Sequence, residues 1–179
     1  MLKAFALASL VAGGTALAST RIPGTYTYYS ASKDQITDIN TGSVSIDELY
    51  DEGGETFMVF RCADFGNPGL WAFMGSKNSL LSQTDIDAST YPAVVMRLGT
   101  DAPITVQGAS LTSVVDANQN VKPDRLAFSA TMTRSMISGL LANKKLVVRV
   151  ARTAGGAPLT YTFPAAGFAT AWKAVNQCR

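Results

Sequence analysis

The residues whose types and spacing could do chemistry fall into three small sets, and none of them contains histidine. The 179-residue sequence has no histidine at all. This excludes Ser-His-Asp triads, His-ligated zinc, copper or haem sites, and a histidine pH switch. No Gly-x-Ser-x-Gly nucleophile elbow occurs either. What remains, apart from scattered carboxylates, is a run of Asp and Asn, one pair of cysteines, and three arginines within predicted strands.

The Asp and Asn run has the oxygen spacing that opens a calcium loop. Its members are Asp116, Asn118, Asn120 and Asp124. An EF-hand loop also requires glycine at its sixth position and glutamate at its twelfth, where this chain has Val121 and Ala127. Asn and Asp are also favoured in tight turns. The run therefore predicts a hairpin turn, with a weak calcium site as the alternative and no other cofactor expected.

A second acidic group surrounds two consecutive glycines and is predicted to be a solvated connection, with contact to a cation or a basic partner as the alternative. It contains Asp47, Glu48, Asp51, Glu52 and Glu55. A glycoside hydrolase needs two carboxylates at a defined separation, and nothing in the spacing of this sequence sets one. A small secreted hydrolase that uses carboxylates only is kept as the alternative function.

Cys62 and Cys178 are the only cysteines, and both are predicted to face the core. Alternation over residues 57–62 places Cys62 with Met58 and Phe60 on one strand face. Cys178 continues a stripe with helical spacing formed by Phe168, Ala171, Trp172 and Val175. An oxidising compartment favours a disulfide between them. A redox-active pair is the alternative, but the sequence has no Cys-x-x-Cys.

The first eighteen residues are predicted to be a secretory signal peptide. Lys3 precedes an apolar stretch over 4–17, and Ala16-Leu17-Ala18 has the small-x-small form of a cleavage site. A retained membrane anchor would need about 20 apolar residues. We therefore expect an exported protein, periplasmic or secreted, without a later membrane segment. With 15 Lys and Arg against 13 Asp and Glu, the chain has no electrostatic footprint for nucleic acid.

Residues 19–179 are predicted to form one mainly β domain, an antiparallel β-sandwich or barrel-like fold with a short internal helix and a C-terminal helix. Thr133 is the predicted cap of the internal helix, and the C-terminal helix covers 165–176. The predicted strands cover 25–30, 57–63, 69–75, 93–99, 104–106, 111–115, 125–130, 145–151 and 159–163.

Three arginines lie within these strands, each on the face opposite the core residues of its strand. They are Arg61, Arg97 and Arg149. If their strands share one sheet, the guanidinium groups form a stripe that can hold carboxylates or an acidic partner. The alternative is that they solvate an exposed face or pair with nearby aspartates.

The order of several short motifs resembles two families of small exported bacterial proteins. The motifs are Arg61-Cys62, Val95-Met96-Arg97, Leu146-Val147-Val148-Arg149 after a short helix, and Thr162-Phe163-Pro164-Ala165-Ala166-Gly167-Phe168 before a helix that ends at Cys178. The order is similar to that of the VasI-like proteins associated with type VI secretion and of invasion-associated locus B-like domains. The resemblance implies a disulfide-closed β domain without known catalytic residues.

Together these features predict an exported, noncatalytic binding or accessory protein of the cell envelope or of a secretion system. Its expected partner is a protein or a component of the envelope, and not nucleic acid.

Overall fold

The computed structural model of the chain describes residues 19–64, 67–152 and 157–179, in which two antiparallel sheets and three α-helices are found. The predicted mainly β, sandwich-like class is confirmed, and the sheets are open rather than closed into a barrel. The predicted signal peptide, residues 1–18, lies outside the described residues and stays a prediction. Among the described residues, no helix has the length and apolar character needed to cross a lipid bilayer.

The elements follow one another with short connections. In chain order they are β1 (Thr20–Arg21), β2 (Thr27–Ser30), β3 (Ser43–Asp47), β4 (Phe57–Asp64), β5 (Asn67–Gly75), α1 (Gln83–Ala88), β6 (Ala93–Leu98), β7 (Ile104–Val106), β8 (Leu111–Val115), β9 (Val121–Phe128), α2 (Ala130–Leu141), β10 (Leu146–Ala151), β11 (Leu159–Phe163) and α3 (Phe168–Ala174). Short 3₁₀ turns cover Gly108–Ser110 and Asn176–Cys178.

Every strand pairs antiparallel with its neighbours in one of two sheets. The large sheet has the order β1-β2-β3-β4-β5-β9-β8, and the small sheet has the order β11-β10-β6-β7. Burial alternates along the strands, as in β6 and β10, where every second residue is buried. Each sheet therefore has one face in the core and one outer face, as expected for antiparallel strands with period-two patterning.

The core lies between the inner faces of the sheets and includes α2 and α3. Phe60 of the large sheet meets Phe168 of α3 edge-to-face, with ring centroids 5.2 Å apart. Phe163 brings the small sheet into the same core, where its side chain is fully buried. The two sheets are also joined by a buried hydrogen bond of 2.6 Å between the Ser76 and Tyr161 hydroxyls. Large aromatic side chains thus contribute much of the packing between layers.

The predicted start of the internal helix is wrong by one turn. Ser129 is the N-cap of α2, and its hydroxyl accepts a hydrogen bond of 3.4 Å from the Met132 amide. Thr133 lies inside the helix, fully buried, and its hydroxyl donates to the Phe128 carbonyl at 3.4 Å. Both residues are of the capping type, and the preceding strand ends early enough for the first of them to take the role.

The disulfide between Cys62 and Cys178 is confirmed, with the two Cα atoms 4.7 Å apart. It fastens the tail after α3 to β4. Asn40 supports the same attachment, since its amide group donates to the Val175 carbonyl at 2.8 Å. Gly167 begins α3 with a φ of 86°, and a Cβ there would lie 2.7 Å from the Thr25 hydroxyl oxygen. The C-terminal helix is therefore fixed at both ends.

Replacing both cysteines by alanine should lower the free energy of unfolding by about 2–5 kcal/mol, because the bond closes a loop across most of the chain. Urea denaturation of the oxidised protein measures this. A reductant should shift the wild-type midpoint to that of the double variant and leave the variant itself unchanged. Equal midpoints for the oxidised wild type and the variant would contradict a stabilising role for the bond.

Gly167→Ala should lower the free energy of unfolding by about 1–3 kcal/mol, because a residue with a Cβ is strained at positive φ and this Cβ would also contact Thr25. Gly108→Ala is the matched control, because a Cβ at Gly108 has no heavy atom within 4 Å. Thermal denaturation should show a lower midpoint for the first variant only. A Gly167→Ala protein as stable as Gly108→Ala would show that α3 does not need this backbone conformation.

Candidate functional site

The expected stripe of three arginines is not formed, because its strands lie in different sheets. Arg61 belongs to β4 of the large sheet, whereas Arg97 in β6 and Arg149 in β10 belong to the small sheet. All three point away from the core, as predicted. The alternation of core-facing and outward-facing residues is the same in both sheets. It therefore predicts the face of the strand on which a residue lies but not the sheet to which the strand belongs.

Arg97 and Arg149 are diagonal neighbours on the outer face of the small sheet. In the β6–β10 register, Arg97 lies opposite Val147 and Arg149 lies opposite Val95. Diagonal positions on adjacent strands are about 7–8 Å apart, within reach of long side chains. Both arginine side chains are exposed.

Lys145 is a third cation at this place, which the sequence reasoning missed. It lies two residues before Val147, immediately ahead of β10, and the Gly99 amide donates to its carbonyl at 2.8 Å, which continues the β6–β10 ladder. The side chain is exposed on the same face. Arg97 is therefore flanked by Lys145 on one side and Arg149 on the other. Alternation backward from Arg149 could have revealed this cation.

An open pocket with a volume of about 450 Å³ lies between these cations, and we call it the cationic cleft. Half-buried Val95 and Val147 contribute apolar surface between the charges. The loop after β6 forms one wall. The lining residues are Val95, Met96, Arg97, Gly99, Thr100, Pro103, Lys145, Val147 and Arg149. Its volume lies within the range typical of small-ligand sites.

The positive charges of the cationic cleft are not neutralised by the part of the chain that the structure describes. None of its three cations has a described carboxylate within 4.0 Å. Arg97 donates to the Thr100 carbonyl at 3.2 Å, and Arg149 donates to the Thr160 hydroxyl at 3.4 Å. The Asp101 carboxylate, on the same loop, is already held by Lys144 at 2.9 and 2.7 Å. The cleft thus offers guanidinium and ammonium donors to an anionic group.

The outer face of the large sheet uses its arginines differently. Arg61 lies over the Trp71 ring at 5.6 Å from its centroid, and Trp71 stacks on Phe73 at 5.2 Å. Arg125 lies 5.8 Å from the ring centroids of both Phe57 and Phe73. These cations are engaged by aromatic faces of the same chain. The arginines of the small sheet have no such ring contact among the described residues.

The candidate calcium residues organise a turn between β8 and β9. One Asp116 oxygen accepts from the amides of Asn118 at 2.8 Å and Asn120 at 3.0 Å. The hydrogen bond from the Asn120 backbone is the main cause that lowers the pKa of Asp116. Asp124 lies in β9, where its carboxylate is 3.8 Å from Arg125. In the described ranges, no three His, Cys, Asp or Glu side chains are grouped to hold a metal ion.

The acidic segment after β3 is only in part the solvated connection that was predicted, because Glu52 and Glu55 are exposed but Glu48 and Asp51 are buried. Glu48 is 5% exposed, and Asp51 is 8% exposed. Glu48 accepts hydrogen bonds from the Thr162 amide at 2.9 Å and from the Tyr50 amide at 2.7 Å, which ties this segment to the edge strand β11. Carboxylates are buried where backbone amides satisfy their oxygens. Thr162 is 114 residues away from Glu48, so composition alone gave no sign of this contact.

Asp47 and Asp51 have pKa values displaced in opposite directions. A hydrogen bond from the Thr56 hydroxyl is the main cause that lowers the pKa of Asp51, and Lys77, whose ammonium is 3.2 Å away, adds to it. Burial raises the pKa of Asp47 against the opposing effect of a Tyr28 hydrogen bond. Divergent carboxylates can mark an acid–base pair. Neither of these lines the cationic cleft.

Asp51→Asn should lower the free energy of unfolding at pH 7 by about 1–3 kcal/mol, because it removes a charged acceptor from a nearly buried site. Because its folded-state pKa is lowered, the Asp51 carboxylate stabilises the fold above the unfolded-state pKa. That contribution is lost as the pH falls through the folded-state value, below about pH 4. The difference between wild type and variant in urea denaturation should therefore shrink in acid.

Asp47→Asn is the matched control, and it should leave stability at pH 7 unchanged or raised. The raised pKa means that the Asp47 charge opposes folding there. Equal destabilisation by the two substitutions at pH 7 would contradict this assignment.

The chain has no match among protein-family models, curated proteins or solved structures. The resemblance to VasI-like and invasion-associated locus B-like proteins stays a hypothesis that rests on motif order. The cationic cleft is therefore the feature of this chain that points to a function.

Proposed function

We propose that this chain is an exported, noncatalytic binding or accessory protein of the cell envelope or of a secretion system, and that the cationic cleft is its binding site. The observation that carries the proposal is the cluster formed by Arg97, Lys145 and Arg149, which has no carboxylate partner within 4.0 Å among the described residues. A partner that supplies anionic groups would neutralise these three positive charges.

The chemistry of the cleft suits carboxylates. Arginine presents a planar fork that binds a carboxylate through two hydrogen bonds, and lysine adds a mobile point charge. The apolar surface of Val95 and Val147 between the cations lowers the local exposure to water, which strengthens such contacts. Rim charges of this kind increase association rates and discriminate against basic partners.

Export is supported by the disulfide, because such bonds form and persist in oxidising compartments. The motif order that resembles small exported bacterial proteins supports an accessory role. The structural contacts of the buried acids support the noncatalytic assignment. Glu48 accepts hydrogen bonds from the backbone amides of Tyr50 and Thr162, and Asp51 forms an ion pair with Lys77.

A carboxylate-only hydrolase is the second candidate, favoured by the opposite pKa displacements of Asp47 and Asp51. In that case Asp47 would be the proton donor, and Asp47→Asn would abolish turnover of a ligand. For the binding protein that we propose, Asp47→Asn leaves binding unchanged and the bound ligand is recovered intact.

Substituting both Arg97 and Arg149 by glutamine should weaken retention of the natural ligand at least tenfold. The immobilised, oxidised protein is exposed to the exported fraction of its producing cell, and bound species are quantified by mass spectrometry. Arg134→Gln is the matched control, because Arg134 is an exposed arginine on α2, away from the cleft. Equal retention by the double variant and by Arg134→Gln would overturn the cleft as the binding site. Release of the ligand in cleaved form would favour the hydrolase.

A further inference from the structure

The three cations of the cleft are spaced regularly along one direction. Lys145 and Arg149 are four residues apart on one extended strand, a separation of about 13 Å. Arg97, opposite Val147 on the neighbouring strand, lies midway between them along the strand axis. Measured along the strand axis, the Cα atoms of the three residues therefore follow one another at intervals of about 6–7 Å.

An extended polypeptide has the same repeat. Side chains two residues apart point to the same face and are separated by about 6–7 Å. Resting on the proposed function, we infer that the ligand is an extended segment of a partner protein that carries acidic side chains at alternate positions. Three carboxylates at i, i+2 and i+4 would then meet Lys145, Arg97 and Arg149 in turn.

The spread of the cations favours this ligand over a compact anion. A compact anion such as citrate or phosphate cannot reach cations spread over about 13 Å. A helix with glutamate at every fourth position repeats at about 6 Å, which is also close to the spacing of the cations, so an extended and a helical peptide are compared directly in the titration below.

The rest of the outer face suits a polar strand. Thr105 lies opposite Val95, and Thr160 lies opposite Arg149, so hydroxyl groups border the cleft on both neighbouring strands. Asp101 does not compete for the cations, because Lys144 holds both of its oxygens. The contact is therefore electrostatic with a small apolar centre, and its affinity should fall as salt is added.

Isothermal titration of the oxidised protein with defined ligands tests the inference. The first ligand is a seven-residue peptide in which glutamates alternate with threonines. The second has the same composition with its three glutamates consecutive, and the third is an alanine-rich helical peptide with glutamate at every fourth position. Citrate and inorganic phosphate are titrated as free anions, and an oligothymidylate is titrated as a polyanion. The variants are Arg97→Gln/Arg149→Gln and the control Arg134→Gln.

We expect the alternating peptide to bind at least tenfold more tightly than every other ligand. The double variant should lose at least tenfold of that affinity, whereas Arg134→Gln should keep it. Circular dichroism and thermal denaturation of each variant establish that it is folded, which is expected because the substituted side chains are exposed.

The other outcomes separate the inference from the proposed function. In one outcome, the consecutive peptide, the helical peptide, a free anion or oligothymidylate binds as tightly or more tightly, with the same dependence on Arg97 and Arg149. That result would overturn the extended acidic segment and retain the cleft as an anion site. If none of these ligands shows binding that depends on Arg97 and Arg149, both the inference and the proposed function are overturned.

Discussion

Burial of one face of each sheet in a shared core is the interaction on which the rest of the structure depends. Phe60 packs against Phe168 across the layers, and Phe163 brings the small sheet into the same cluster. Once the inner positions are apolar, period-two alternation assigns Arg61, Arg97 and Arg149 to outer faces. The disulfide and the C-terminal helix then close the core beside the large sheet. The arginines considered for binding therefore lie on the outer faces of the two sheets.

The two outer faces use arginine in different ways. On the large sheet, Arg61 and Arg125 lie over aromatic rings of their own chain. Such contacts are worth about 0.5–1 kcal/mol at exposed sites and leave the face internally matched. On the small sheet, Arg97 and Arg149 lie beside half-buried valines, where Arg97 donates to a carbonyl and Arg149 donates to a hydroxyl. A surface with unmatched charge around an apolar centre is suited to recognition, and this contrast is why we propose the small sheet as the binding surface.

Local patterns predicted much of the fold, and two of the failures share one physical cause. Strands over 104–106, 111–115 and 159–163 were predicted with the bounds that the structure shows, because alternation and turn residues are local signals. The cysteine pair followed from its being the only one in a chain expected to be exported. The helical stripe predicted for Cys178 is wrong, since α3 ends at Ala174 and Cys178 lies in the following 3₁₀ turn. The burial of Glu48 could not be predicted, since its partner Thr162 is 114 residues away. The separation of Arg61 from the other two arginines has the same origin, because sheet membership is decided by long-range pairing.

The central claim is that the cationic cleft is the binding site, and amide chemical-shift mapping tests it most directly. The isotopically labelled, oxidised protein would be titrated with the alternating acidic peptide and its two-dimensional NMR spectrum recorded. The account predicts that shift changes concentrate in β6, at the start of β10 and in the loop at residues 99–103, while the amides around Trp71 and Phe73 keep their positions. Changes centred on the large sheet, or no changes in β6 and β10 at saturating peptide, would contradict it.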